Sequence, residues 1–135
     1  MLIDIKTVAT ANVVIQILLF ILASGAAYLA KNRDLRTHCT CMKVLLPVQM
    51  ITVAVIMLPS MLGYLKYENP GTFFYSEMLA HHTLGLIVLV IWIYIILTFR
   101  TSWMPRNLRA VMRSAFVVWI LSLFLGLHMY IRIWT

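Results

Sequence analysis

The sequence predicts an all-α integral membrane protein: an antiparallel four-helix transmembrane bundle with both termini outside. Three observations predict it. The 135 residues are 63% hydrophobic and 11% charged, against about 25% charged in a soluble domain, and mean hydropathy is +0.95. Four apolar stretches, about 11–30, 43–64, 78–99 and 114–133, each reach the roughly 20 residues a helix needs to cross a hydrocarbon core of about 30 Å. The basic residues are also unevenly placed. Lys31, Arg33, Arg36 and Lys43 flank the first connection, Arg100, Arg106, Arg109 and Arg113 the third, and only Lys6, Lys66 and Arg132 lie on the other side. Such a bias puts the basic connections in the cytoplasm and the termini outside.

The formal charge of +7 is therefore a topology signal, and nucleic acid is not an expected partner. Short connections favour up-down-up-down order within a single domain, 1–135. The expected setting is the cell (plasma) membrane, multi-pass. Asp4 and Lys6 precede the first apolar stretch, which lacks a convincing small-residue cleavage site, so it is read as a retained span.

The first helix carries Ala23-Ser24-Gly25-Ala26-Ala27, small residues that let helices approach closely in lipid. Clearance for a flat cofactor would use the same residues; packing is the simpler reading. Before the second helix comes His38-Cys39-Thr40-Cys41-Met42, a set of donors that copper(I) favours. The plainer reading is an interfacial helix start with two thiols, which stay reduced in the cytoplasm. No C-x-x-C-H occurs, so covalent haem attachment is not indicated. Pro59, inside the second helix, removes a hydrogen bond and should bend its outer end, whereas Pro47 sits close to the start. Gln49 and Thr52 can bond to neighbouring helices or touch a ligand.

Outside, Asn69-Pro70-Gly71 supplies turn chemistry, and Phe73, Phe74 and Tyr75 fit an aromatic belt. The third helix opens with Glu77-Met78-Leu79-Ala80-His81-His82-Thr83-Leu84-Gly85. The fourth contains Ser122 and Gly126, a small-residue pair for close packing, and ends His128-Met129-Tyr130-Ile131-Arg132.

Ionisable groups at membrane depth usually mark a site. At about 1.5 Å per residue, His82 lies about 9 Å and His128 about 6 Å outward of their helix midpoints. His38 belongs at the opposite surface. Two imidazoles at matched depth suit bis-histidine ligation of a b-type haem, which needs two axial nitrogens and an apolar slot. Its cofactor-binding residues would be His82 and His128 on the iron, His81 as the alternative ligand or polar contact, Gly85 as clearance and Arg132 on a propionate. Tyr64, Tyr75 and Tyr130 are candidates for the rim. The plain alternative makes His81 and His82 interfacial residues and His128 a bundle histidine bonded to a neighbour.

The leading expectation is a b-type cytochrome or cytochrome-like subunit of a respiratory complex, transferring single electrons near the outer face with quinone as a partner. The chain would sit in a larger membrane redox complex or a homo-oligomer. Alternatives are a non-catalytic assembly or structural subunit, and a copper-handling protein using His38, Cys39, Cys41 and Met42. The acidic residues, Asp4, Asp34, Glu68 and Glu77, all lie near interfaces, and no nucleophile-base-acid set suggests hydrolysis.

From His38 onward the chain resembles a small four-helix membrane family of unknown function that includes the cytochrome-oxidase assembly factor CtaM. The resemblance rests on His38-x-x-x-Met42, His82-x-x-Gly85, Arg109-x-x-x-Arg113, Trp119 and Gly126-x-x-x-Tyr130. It implies a place near haem-copper oxidases or a haem-handling role, with His38 and His82 as the positions of interest. Asn107 departs from the pattern, where a basic residue or histidine is expected, and His128 is an addition. More distantly, the architecture is similar to b561-like four-helix cytochromes, which by analogy of fold implies electron transfer.

Overall fold

The computed structural model describes residues 5–64 and 72–135. Asp4, Lys66, Glu68, the Asn69-Pro70-Gly71 turn and the side chain of Tyr64 lie outside the described residues. Within the described residues, five α-helices follow in order: α1 (Ile5–Lys31), α2 (Leu35–Thr52), α3 (Leu58–Tyr64), α4 (Thr72–Thr98) and α5 (Leu108–Trp134), with a π-helical segment, Val53–Met57, joining α2 to α3. Among the described residues, four stretches are long and apolar enough to cross a membrane: Lys6–Lys31, Leu35–Gly63, Phe73–Thr98 and Leu108–Trp134. Many large apolar side chains, among them Leu22, Ile51, Leu97 and Phe124, are exposed, which suits a lipid surround. The chain divides into two compact units, Met1–Leu62 and Gly63–Thr135.

Each helix starts earlier than its hydropathy suggests. Apolarity marks the part that crosses lipid, whereas capping marks where the backbone begins to coil. Asp34 accepts the Thr37 N–H at 3.1 Å, so α2 begins at Leu35 rather than near 43. Hydrogen bonds from the Thr37 side chain, then its backbone, hold the Asp34 carboxyl below the usual carboxylate value. The folded value is depressed, so this contribution is present above the unfolded pKa and lost as pH falls through the folded one. Asn107 likewise accepts the Ala110 N–H at 3.1 Å and starts α5. Its place in the sequence is thus explained as an N-cap. Asn107→Ala should cost about 1 kcal/mol, read as lower stability with faster amide exchange over 108–111.

In the first unit, α1 buries Gln16, Leu19, Ala23 and Ala26, and α2 buries His38, Leu46, Gln49 and Thr52. Of the small-residue run only Ala23 and Ala26 are buried; Gly25 has open space around it. The chain reverses through 32–34, with Arg33 at φ 66° and the Asp34 N–H bonded to the Leu29 carbonyl. Pro59, expected to bend the helix, is preceded by the π-helical turn: the Leu58 N–H reaches back to the Val53 carbonyl. A widened turn lets the chain approach a residue that has no N–H and whose ring would crowd an ordinary α turn.

In the second unit, α4 and α5 pack through Met78, Val88, Ala115 and Trp119, all at most 4% exposed. Trp92 and Trp119 meet edge to face with ring centroids 5.2 Å apart. Near the connection, the Tyr94 hydroxyl donates to the Trp103 carbonyl at 2.8 Å, and Arg100 takes φ 64°.

Candidate functional site

A group of polar side chains in the second unit gathers near the end of α4 and α5 that is distal to the 99–107 connection. Glu77, one turn before His81, has a side chain only 6% exposed. One of its oxygens, Oε1, accepts from His128 Nδ1, and the other, Oε2, accepts from Arg132 at 3.3 Å. A carboxylate can only accept, so His128 carries its proton on Nδ1 and has Nε2 as its second ring nitrogen. The side chains of His128 and Arg132 are 56% and 42% exposed, and the guanidinium lies 5.2 Å from the Phe73 ring centroid. A shallow, largely apolar cleft of about 500 Å³ opens beside them, lined by Phe73, Ser76, Glu77, Ala80, Leu125 and His128.

His81 makes a different contact. Its Nδ1–H donates to the Ser122 carbonyl at 2.7 Å, while the Ser122 hydroxyl donates back to the His81 carbonyl at 3.0 Å. This reciprocal pair ties α4 to α5 at one level. Gly126, one turn along, makes the contact sterically feasible: a Cβ there would stand 2.6 Å from His81 Cε1.

His82 donates from Nδ1 to the Met78 carbonyl of its own helix at 2.8 Å. Its ring meets that of His81 edge to face, with centroids 5.0 Å apart. His82 is five residues from Glu77, about 140° around α4 at 3.6 residues per turn. Glu77 is the residue that holds His128, so His82 and His128 point to different flanks of the α4–α5 pair. The hairpin's contacts do not bring them together. A porphyrin between α4 and α5 at this level would have to separate Gly126 from His81. The ring nitrogens themselves suit a haem iron, because both imidazoles are tied at Nδ1 and have Nε2 as the remaining donor.

The other expected positions fall as follows. Arg132, expected on a propionate, is engaged by Glu77. Gly85 is part-buried one turn after His81, and Tyr75 is exposed near the start of α4. Tyr130 is part-buried and has interactions of its own.

His38 is in the first unit, buried, with Nδ1–H donating to the Ala26 carbonyl at 2.8 Å. Cys39, Cys41 and Met42 follow it on α2, with both thiols free and part-buried. Two residues apart on a helix, the cysteines diverge by about 160°. Among the described residues, no three His, Cys, Asp or Glu side chains form a group that could hold a metal ion.

Glu77 is the site residue that sequence reasoning did not place, whereas Ser122 and Gly126, read as a close-packing pair, do sit where α4 and α5 approach at His81. A signal existed for Glu77: it and His81 are four apart on one face, at the depth of His128 and Arg132. Comparison of the chain with protein-family models, curated proteins and solved structures finds no match.

Proposed function

We propose that the chain is a multi-pass subunit of a larger redox complex in the cell membrane, with its four helices antiparallel and its termini outside. Its chemistry is proton exchange between the Glu77–His128 dyad and a lipid-soluble hydroxylated ring of the quinol class. The observation that carries this reading is the buried Glu77 carboxylate holding the Nδ1–H of an imidazole that lines an apolar cleft. A carboxylate in that position fixes the tautomer and leaves Nε2 as the ring nitrogen that meets the ligand hydroxyl. Arg132 offsets the Glu77 charge, which would otherwise be costly in so buried a position. The apolar lining suits a ligand that arrives through the bilayer, and the uneven charge of the connections supports the orientation.

The test is binding of a short-chain quinol to the full chain in lipid nanodiscs. His128→Ala removes a hydrogen bond of about 1.5 kcal/mol to the ligand and should weaken binding about tenfold. Saturable binding that is unchanged in this variant, or no saturable binding at all, would overturn the reading.

A b-type haem reading is favoured by one observation, the Nδ1-tied state of His82 and His128. Because they face different flanks, His82 or His128 would hold the group through Nε2. A haem so held would supply one-electron transfer. The reduced-minus-oxidised spectrum of the haem-reconstituted chain checks it. A b-type signal lost in His82→Ala or His128→Ala supports the assignment, and no signal, or one that survives both changes, removes it.

A further inference from the structure

The first unit holds a second polar cluster with no part in that chemistry. Gln16 and Gln49 are each 8% exposed and Thr52 6%. Among the described residues, three buried polar atoms have no protein partner: Asn12 Oδ1, Gln16 Nε2 and Gln49 Oε1. Asn12 and Gln16 are one turn apart on α1; Gln49 and Thr52 are one turn apart on α2. The Ala26–His38 hydrogen bond sets the register of the two helices. Counting away from it, Gln16 is ten residues back and Gln49 eleven residues on, which places them level to within about 1.5 Å. Thr52 cannot serve the two orphan acceptors, because its hydroxyl hydrogen goes to the Val48 carbonyl at 2.8 Å.

We propose that an ordered water is bound between α1 and α2, joining Gln16, Gln49 and Asn12. The orphan atoms are one donor and two acceptors. One water completes that set, accepting from Gln16 Nε2–H and donating to Gln49 Oε1 and Asn12 Oδ1. Buried waters typically make about three such bonds. Gln16 lies near the middle of the Lys6–Lys31 span, where an unsatisfied polar group costs several kcal/mol because lipid offers nothing in exchange.

The chain has two glutamines, so selective labelling of the full chain in bilayers gives two side-chain amide signals for water-edited solid-state NMR. Both should take up magnetisation from water while the Leu19 methyls, one turn along, do not. In Gln49→Leu the transfer to the Gln16 amide should fall severalfold. A direct Gln16–Gln49 contact without water transfer would overturn the proposal. Equal transfer to Leu19, or transfer to Gln16 that is unchanged in Gln49→Leu, would overturn it too, since water would then be entering generally.

Discussion

Glu77→Ala is expected to be among the most damaging single changes in the α4–α5 pair. The carboxylate is 6% exposed and engages two cationic or potentially cationic side chains. Breaking a fully buried pair costs about 3–5 kcal/mol. Here His128 and Arg132 are half-exposed, so polar headgroups or water can take them up once released, and the cost drops to about 1–3 kcal/mol. Glu77→Gln keeps the volume and one acceptor and should cost less. Arg132→Met leaves Glu77 with His128 alone and should fall between the two. Reversible unfolding of the full chain in mild detergent, followed by far-UV circular dichroism, measures all three. A Glu77→Ala variant within about 0.5 kcal/mol of the parent would behave like an ordinary surface change, and the cluster would then carry no structural weight.

That cluster also shows what was legible in the sequence. The four long apolar helices were, because a run of apolar residues long enough for lipid leaves little choice of structure. Helix starts were not, since Asp34 and Asn107 act by hydrogen bonds that hydropathy does not register. The histidines stood out in the sequence, but Gln16, Gln49 and Glu77 are buried polar residues as well. The partners of the histidines were harder to place because depth along a helix says nothing about direction around it. His82 and His128 match in depth, yet Glu77 takes His128 on one flank while His82 faces another. Attention to phase would have paired Glu77 with His128 and Arg132 of α5, since the three residues share one depth and Arg132 carries the complementary charge. The His81–Ser122 contact depends on a carbonyl acceptor, and backbone acceptors carry no residue signature. Pro59 was readable as a disturbance, but not as a π-helical turn, because a bend and a widened turn answer the same missing donor.

Gly126→Ala should show how tightly α4 and α5 are fitted at His81. The added Cβ would lie 2.6 Å from His81 Cε1 and 3.0 Å from Nδ1. A flexible side chain would simply move aside. This imidazole is held by the Ser122 carbonyl at 2.7 Å, and the Ser122 hydroxyl bonds in turn to the His81 backbone at 3.0 Å. Turning the ring therefore breaks a hydrogen bond, and keeping it forces the helices apart. Either response should cost about 1–3 kcal/mol, the usual range for overpacking. His81→Ala removes the obstacle along with the hydrogen bond. The double variant His81→Ala with Gly126→Ala should thus lose less stability than the two single losses combined, by about 1 kcal/mol or more. Additive losses would mean that the alanine methyl meets something other than His81. A sub-additive result would locate the close approach of the two helices at this histidine, and would make Gly126 the residue that permits it.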